Sequence, residues 1–205
     1  MGSCIIFCAG DFHGLLRPVT GEDYLIAADG GLRHCEDLRP QEILGDFDSL
    51  GYVPEGAQVF PVEKDDTDSM LAVRRGLELG YGDFLIYGGM GGTRLDHTVA
   101  NLQTLLFLAR QGARGTLVGK HQCATVICNG AIRFPAVAEG IVSVFAMGED
   151  ATGVTVRGLQ YSLEDGNLSA GYPLGVSNHF ISKDSEISVK NGCLLIFYPR
   201  EVTPC

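Results

Sequence analysis

The chain has 205 residues, 45% of them hydrophobic and 20% charged, which excludes a disordered protein and allows one large domain or two small ones. Its formal net charge is −10 and its 15 basic residues are scattered, which argues against a nucleic-acid-binding surface. No apolar run approaches the roughly 18 residues of a membrane span. The sequence therefore predicts a soluble, cytoplasmic protein that binds neither nucleic acid nor membrane.

Short apolar runs closed by Gly and Asp turns predict strands buried on both faces, at residues 4–9, 24–28, 42–44, 58–62 and 83–87. Helical spacing of apolar residues predicts a helix at 32–38, a second that opens in the acidic residues 63–68 and ends before Gly80, and a third from Leu95 to Arg110. The third helix has a predicted apolar stripe made of Leu95, Val99, Leu102, Leu106 and Ala109. Further strands at 115–118 and 124–128 complete this half of the chain.

Two carboxylates, Asp46 and Asp48, follow the apolar run at 42–44 directly. In extended backbone, residues i and i+2 project to the same side. The pair can therefore aim its oxygens at one hard cation, such as Mg²⁺ or Mn²⁺. The alternative is that both residues are solvated turn-formers in a loop.

A second acidic group, at residues 63–68, precedes the helix that ends before Gly80. Asp65 and Asp68 are three apart at the predicted helix start and would share one face, with Asp66 pointing elsewhere. Two like charges about 4 Å apart repel by about 4 kcal/mol at an effective dielectric of about 20, so converging acids imply a bound cation. The alternative is that these acids only cap the helix and complement its dipole.

A glycine-rich turn at 88–92 follows the predicted strand at 83–87 and leads into the third helix. Strand, turn and helix N-terminus together form a cradle for anions such as phosphate. The turn is not a dinucleotide fingerprint, because Arg94 replaces the third glycine of G-x-G-x-x-G, and it is not a P-loop, because no G-x-x-x-x-G-K-[ST] sequence occurs. Arg94 instead offers a planar fork for phosphate oxygens. His97 and Asn101 share the cradle's face, although both could simply be surface residues.

The second half of the chain has a different pattern. Short apolar runs are separated by Gly, Asp and Asn turns, and no useful helical period follows Gly130. This predicts a small antiparallel sandwich or barrel, with strands at 141–147, 153–156, 187–189 and 193–198. The dipeptide Asn129-Gly130 marks the predicted domain boundary, and Asn191-Gly192 predicts a hairpin.

The seven cysteines form an odd-numbered set without a C-x-x-C pair, and several lie in strand-like runs. A zinc site is disfavoured because the short ligand spacings typical of such sites are missing. The pattern predicts buried, reduced thiols in a cytosolic protein.

Five motifs in this order resemble those of the thiamine pyrophosphokinase family and span nearly the whole chain: Ala28-Asp29-Gly30-Gly31, Leu44-Gly45-Asp46-Phe47-Asp48-Ser49, Glu63-Lys64-Asp65-Asp66-Thr67-Asp68, Gly92-Thr93-Arg94-Leu95-Asp96-His97 with Asn101, and Val176-Ser177-Asn178-His179-Phe180. The resemblance implies an α/β domain with a mainly parallel, Rossmann-like sheet at residues 1–129, which binds ATP and metal. It also implies a β-sandwich at 130–205 that binds thiamine and forms a homodimer. The implied reaction uses ATP and Mg²⁺, transfers a pyrophosphoryl group to the thiamine hydroxyl and releases AMP.

The same resemblance assigns roles to individual residues. Mg²⁺ and the triphosphate would be held by Asp46, Asp48 and Asp68, with Asp65 beside them. Phosphate oxygens would be contacted by Lys64 and Arg94, reacting groups would be positioned by Asp96, and Ser177 and Asn178 would face the thiamine pyrimidine across the dimer. The whole predicted binding set is Asp29, Gly30, Lys64, Thr67, Gly91, Gly92, Arg94, His97, Asn101, Ser177 and Asn178, and the catalytic set is Asp46, Asp48, Asp65, Asp68, Arg94 and Asp96.

Two other functions use the same residues. A metal-dependent nucleotide phosphohydrolase needs the same carboxylates. A non-catalytic thiamine- or nucleotide-binding module could hold metal without turnover, but an intact set of acids together with Arg94 disfavours it. Phosphoryl-type transfer consists mostly of positioning and charge stabilisation, and the predicted residues are sufficient for that chemistry.

Overall fold

The structure is a computed structural model that describes residues 2–136 and 140–205. Contacts between Cα atoms divide the chain into two compact units, Met1–Lys120 and His121–Cys205. The boundary predicted after residue 129 lies later in the chain. The units divide earlier because the strand at Gln122–Cys128 pairs with the last strand, Cys193–Pro199, and so belongs to the second unit.

The N-terminal unit has six strands, all in parallel pairs: β1 (Cys4–Phe7), β2 (Tyr24–Ala28), β3 (Glu42–Gly45), β4 (Gln58–Val59), β5 (Asp83–Tyr87) and β6 (Arg114–Val118). Their spatial order is β4-β3-β2-β1-β5-β6. Every residue of β1 is buried, as expected for a central strand covered on both faces. The prediction of an α/β unit with a mainly parallel sheet is confirmed, although β4 is shorter than the predicted strand at 58–62.

Two α-helices pack in this unit, α1 (Asp68–Glu78) and α2 (Leu95–Arg110). The first packs against β1, β2 and β3, and the second against β6. In the described residues, no helix is both long enough and apolar enough to cross a membrane.

The prediction of an α-helix at 32–38 is wrong. The chain instead forms two short 3₁₀ segments, Asp29–His34 and Glu36–Leu38. Segments of six and three residues are of the length at which 3₁₀ geometry is common, and Pro40 follows them directly after Arg39.

The predicted apolar stripe of α2 is also wrong at its start, where Leu95 and Val99 are 71% and 56% exposed. The buried face of this helix consists of Asn101, Thr104, Leu105 and Leu108. Because α2 carries apolar residues around most of its circumference, periodicity alone gave the wrong face.

In its described residues, 121–136 and 140–205, the C-terminal unit is all β, with eight strands: β7 (Gln122–Cys128), β8 (Ala131–Phe134), β9 (Ile141–Ala146), β10 (Ala151–Arg157), β11 (Leu163–Leu168), β12 (Gly175–His179), β13 (Ser185–Ser188) and β14 (Cys193–Pro199). They form two antiparallel groups, ordered β7-β14-β9-β12 and β8-β13-β10-β11. The Phe134 ring on β8 lies 5.3 Å from the Tyr198 ring on β14, so the two groups share a core. The predicted antiparallel sandwich is confirmed.

The hairpin predicted at Asn191-Gly192 is wrong, because β13 and β14 belong to different groups of strands. Both Asn-Gly turns carry the chain from one group to the other. They also bind each other: the N–H of Gly192 donates to Oδ1 of Asn129 at 3.0 Å, and the N–H of Asn129 donates to the carbonyl oxygen of Gly192 at 3.1 Å.

The prediction that all cysteines are reduced is wrong for one pair, since a disulfide joins Cys128 on β7 to Cys193 on β14. The two residues are direct cross-strand partners, which places their side chains on one face at close range. Cys4 and Cys8 are buried thiols as predicted, and burial raises the pKa of each to about 12.

Candidate active site

A cleft of about 600 Å³ lies at the carboxyl ends of the parallel strands in the N-terminal unit. Its walls come from the segments that follow β1, β2, β3 and β5 and from the first turns of α1 and α2. The strand order reverses between the neighbours β1 and β5. In open parallel sheets, ligands bind in the crevice beside such a point.

Three carboxylates converge on this cleft, Asp29 after β2 and Asp46 and Asp48 after β3. One oxygen from each of the three lies within 4.8 Å of the others. Asp29 is 6% exposed, and its Oδ1 has no hydrogen-bond partner among the described residues. Because an unpaired buried oxygen is costly, and divalent cations prefer carboxylate ligands, the cluster fits such a cation.

The local backbone makes this convergence possible. Gly45 has a φ of +148°, and a Cβ at this position would lie 3.0 Å from Cα of Asp29. A side chain would therefore push β3 away from the end of β2. The N–H of Asp48 donates to Oδ1 of Asp46 at 3.2 Å, so the two aspartates form a turn and also face the cleft together.

Lys64 connects this cluster to α1. Its Nζ lies 2.6 Å from Oδ2 of Asp46 and 3.1 Å from Oδ1 of Asp68. The hydrogen bond from Lys64 lowers the pKa of Asp46 below its ordinary value. Burial raises the pKa of Asp68, because desolvation there outweighs the attraction to Lys64. Asp68 was predicted as a metal ligand, but the close carboxylate cluster contains Asp29 in its place.

The helix α1 begins at Asp68, with Thr67 as its N-cap accepting a 3.2 Å hydrogen bond from the N–H of Met70. Asp65 precedes the helix, so the helical spacing used to pair it with Asp68 does not apply. Asp65 is exposed and lies outside the cleft walls. Asp66, which was predicted to point elsewhere, lines the cleft and forms a 2.8 Å ion pair with Arg74.

The glycine-rich turn forms the opposite wall. Gly88 has a positive φ, and a Cβ there would lie 2.2 Å from the carbonyl oxygen of Cys8. The close approach of the segments that follow β1 and β5 therefore requires glycine at this position. Gly91 and Gly92 also have positive φ and line the cleft. The N–H of Gly91 donates to Oγ1 of Thr98 at 3.1 Å, so this part of the predicted anion cradle already has a protein partner.

Arg94 lies just before α2 and lines the cleft, as does the exposed His97. The guanidinium of Arg94 forms an ion pair of 2.7 Å with Asp96, and both side chains are about two-thirds exposed. Asp96 is not one of the residues that line the cleft. Hydrogen bonds from Arg94 lower the pKa of Asp96 to about 2.

Asn101 is 4% exposed and joins the two walls of the cleft. Its Nδ2 donates to the carbonyl oxygen of Gly89 at 2.8 Å, and its Oδ1 accepts from Oγ of Ser69 at 2.7 Å. Oγ of Ser69 lies 3.0 Å from Oγ1 of Thr67. The alternative interpretation of Asn101 as an exposed helix residue is therefore wrong.

Some residues of the cleft were not predicted, among them Ser69 and the segment from Cys8 to Asp11. The segment from Cys8 to Asp11 could have been found from strand order: β1 and β5 are neighbours, so the residues after β1 must face the glycine-rich turn. Gly30 was predicted to bind substrate, but it is buried and does not line the cleft.

Ser177 and Asn178 lie on β12 in the C-terminal unit. The side chain of Asn178 is engaged within the protein: Oδ1 accepts from the N–H of Tyr161 at 2.9 Å, and Nδ2 donates to the carbonyl oxygen of Tyr161 at 2.7 Å. Ser177 is exposed and has a φ of +60°. Of the two, only Ser177 has a side chain directed to solvent.

Comparison with known families gives two matches along the chain. Residues 17–117 match the catalytic domain of thiamin pyrophosphokinase, and residues 131–194 match its vitamin B1 binding domain. The chain belongs to the thiamine pyrophosphokinase family. The predicted family is thus confirmed, and the match favours this function over a phosphohydrolase or a silent binding module.

Individual relatives agree with this assignment. The chain is 27% identical over 203 residues to the thiamine pyrophosphokinase of Bacillus subtilis strain 168, an alignment that covers 92% of this chain and 94% of the relative. The crystal structure of the Bacillus subtilis enzyme superposes with a TM-score of 0.83 at 24% identity, covering 96% and 98% of the two chains. That of Geobacillus thermodenitrificans gives 0.81 at 26% identity, covering 97% of each.

Proposed function

We propose that this protein transfers the pyrophosphoryl group of ATP to the hydroxyl of thiamine, giving thiamine diphosphate and AMP. The observation that carries the proposal is the juxtaposition, in one cleft, of the carboxylates of Asp29, Asp46 and Asp48 with a glycine-rich turn. Carboxylates that hold a cation on one side and an anion cradle on the other suit a metal–triphosphate complex.

The residues fit a divalent metal, and Mg²⁺ is the proposed one. Asp29, Asp46 and Asp48 would hold it, because their oxygens already converge and one of them is buried without a partner. Asp68 is proposed to join them when its ion pair with Lys64 opens. When bound, the cation would supply neutralisation of the negative charge on the phosphates.

The polyphosphate is proposed to lie between Lys64 on one wall and Arg94 on the other, beside Gly91 and Gly92. The N-terminus of α2 contributes partial positive charge at that end. Thr67, His97 and Asn101 line the same cleft, and Asp96 is proposed to orient the guanidinium of Arg94 through their ion pair. The predicted catalytic role of Asp65 has no support from its exposed position.

In the proposed reaction the thiamine hydroxyl oxygen forms a bond to the β-phosphorus. The bond from that phosphorus to the oxygen bridging the α- and β-phosphates breaks, AMP leaves, and the hydroxyl proton is released. The side chains named above bind and orient the two substrates.

We extend the proposal to the domains. The order β3-β2-β1-β5-β6 supports a Rossmann-like arrangement for a catalytic, ATP-binding domain at 1–129. Residues 130–205 would form the thiamine-binding and dimerisation domain. ATP as co-substrate supports a cytoplasmic location.

A homodimer is proposed with thiamine sites that include Ser177 of the second subunit. Three exposed apolar residues flank this serine on or beside the edge strand β12: Tyr172, Leu174 and Val176, which are 69%, 60% and 46% exposed. An exposed apolar patch on an edge strand is typical of an interface. Asn178 would support the strand through its bonds to Tyr161 and would not contact the vitamin directly.

The test of the reaction is a product assay with ATP, Mg²⁺ and thiamine, in which AMP is separated from ADP. The expected result is AMP and thiamine diphosphate in equal amounts. ADP with thiamine monophosphate, or phosphate release that does not require thiamine, would overturn the proposal.

The shared site is tested by subunit mixing. Subunits carrying Asp48→Asn and subunits carrying Ser177→Arg should each be inactive, and their hybrids should regain part of the activity, because some sites combine two intact halves. Verified heterodimers that stay inactive would show that each chain builds its own pocket.

A further inference from the structure

Lys64 occupies a distinctive position in the cleft. Its ammonium group lies between two carboxylates from different elements, Asp46 after β3 and Asp68 at the start of α1. The three side chains are only 13%, 11% and 21% exposed, so water screens these charges poorly. Lys64 is thus part of the acidic cluster and is directed away from open solvent.

Charge balance explains why a lysine lies there. The carboxylates of Asp29, Asp46, Asp48 and Asp68 all line one cleft. Within residues 2–136 and 140–205, neither Asp29 nor Asp48 forms an ion pair with a lysine or an arginine. Lys64 is therefore the basic residue that balances charge in a cluster whose members would otherwise repel one another.

A divalent cation on Asp46 would compete with this arrangement. Oδ1 of Asp46 accepts from the N–H of Asp48, and Oδ2 accepts from Lys64 at 2.6 Å. Mg²⁺ binds carboxylate oxygen at about 2.1 Å. An ammonium group and a divalent cation on one oxygen would be close enough to repel each other strongly.

We propose that Lys64 is an intramolecular counter-ion that holds Asp46 and Asp68 together in the metal-free protein and is displaced when the divalent cation binds. The second part rests on the proposed function: ATP supplies phosphate oxygens as the new partner of the displaced lysine. The free metal then binds weakly, and the metal–nucleotide complex binds well because it satisfies both the acids and Lys64.

The direct test measures binding of Mn²⁺ alone, without nucleotide or thiamine, by electron paramagnetic resonance of the free ion. Lys64→Met, which keeps the length of the side chain and removes its charge, should bind Mn²⁺ on the order of tenfold more tightly than the unsubstituted protein. The matched control is Arg114→Met, since Arg114 pairs with Asp83 at 2.7 Å, is 65% exposed, and neither residue lines the cleft. Its Mn²⁺ affinity should stay unchanged.

A second readout is the melting temperature. Lys64→Met should melt at a lower temperature than the unsubstituted protein without metal, and saturating Mg²⁺ should restore it. Lys64→Gln removes the same charge and serves if the methionine variant does not fold. A folded Lys64 variant with equal or weaker Mn²⁺ affinity would overturn the proposal. Neither Mn²⁺ binding nor the melting temperature depends on turnover. If the proposed catalytic activity failed, these two measurements would still test the role of Lys64.

Discussion

The two units of the chain use their sequences in different ways. In the N-terminal unit, β1, β2, β3 and β5 each lead into a segment whose residues line the cleft, so the order of parallel strands assembles the site. In the C-terminal unit, most successive strands lie in different antiparallel groups, with β10 and β11 as neighbours in one group, so its turns carry the chain between the groups. Changes at strand ends should therefore alter chemistry in the first unit and stability in the second.

The largest effect is expected for Asp48→Asn. This exposed carboxylate converges with those of Asp29 and Asp46 and lies outside the hydrophobic core. Turnover should fall by a factor on the order of 10³, because the loss of one cation ligand removes several kcal/mol of charge stabilisation. The melting temperature should be equal or higher, since repulsion with Asp29 and Asp46 is relieved. Normal turnover of this variant at saturating Mg²⁺ would show that Asp48 only forms a turn and is not a ligand of the cation.

A large loss of stability without direct loss of chemistry is expected for Asp23→Asn in the N-terminal unit. The side chain of Asp23 is 1% exposed, and both its oxygens accept hydrogen bonds from Arg17, at 2.7 and 2.8 Å. Removing the charge breaks the ion pair with Arg17, which keeps its hydrogen bonds to Pro18 and Ser3, and should cost about 3 kcal/mol in free energy of unfolding. The exposed pair Arg75–Glu78 gives the control, because Glu78→Gln should cost less than about 0.5 kcal/mol. Denaturant unfolding measures both, and equal costs would contradict the argument.

The same pair predicts acid lability. The hydrogen bonds from Arg17 hold the pKa of Asp23 well below its ordinary value of 3.8. The unfolded chain therefore takes up this proton at a higher pH than the folded protein. The stabilisation should be complete above about pH 4 and should be lost as the pH falls further. In Asp23→Asn, stability measured across that range should depend less on pH.

In the C-terminal unit, loss of the disulfide should reduce stability and leave nucleotide binding intact. The bond between Cys128 and Cys193 closes a loop with a sequence separation of 65 residues. Cys128→Ser should lower the free energy of unfolding by about 2–4 kcal/mol. Cys205→Ser, at an exposed thiol, is the control. Loss of ATP binding by a folded Cys128→Ser protein would contradict the expectation that the disulfide affects stability alone.

The smallest effect is expected for Asn129→Ala. Asn129 has a φ of +48°, and its Oδ1 accepts from the N–H of Gly192. The substitution removes that bond and forces alanine into a left-handed conformation, so stability should fall by about 1–2 kcal/mol. Asn129→Gly also loses the hydrogen bond but adopts the left-handed conformation without strain. Its free energy of unfolding should therefore lie between those of the unsubstituted protein and the alanine variant. Chemical denaturation resolves this difference, and an unaffected alanine variant would show that the paired turns do not stabilise the unit.

Local sequence patterns predicted the first unit better than they predicted its long-range contacts. Apolar runs indicated the central strands, because that pattern is a local property of the chain. The spacing of Asp46 and Asp48 indicated that both would face one cleft, but they do so through a turn, since Phe47 between them has a φ of +62° and the N–H of Asp48 donates to Oδ1 of Asp46. The inclusion of Asp29 in the cluster depends on which strand lies beside β3, and sequence spacing does not encode that neighbour. Asp65 was paired with Asp68 because the helix start was placed too early, before the N-cap at Thr67.

The errors in the second unit have a common cause. Asn191-Gly192 has the composition of a hairpin turn, but composition specifies the turn and not the partner of the following strand. The pairing of β7 with β14 brings Cys128 and Cys193 together across most of the unit. Their pairing is a long-range outcome, so counting cysteines could not reveal it.

The hydrogen-bond chain through Asn101 has a direction. A carbonyl oxygen only accepts, so the amide nitrogen of Asn101 must face Gly89, and its oxygen must receive the hydroxyl hydrogen of Ser69. Ser69 has no second hydroxyl hydrogen, so Thr67 must donate to it while accepting from the N–H of Met70. Both hydroxyl hydrogens are therefore committed inside the protein. Toward the cleft, the hydroxyl oxygens of Thr67 and Ser69 offer only lone pairs, which attract the hydrogens of water or of a ribose hydroxyl and repel phosphate oxygen.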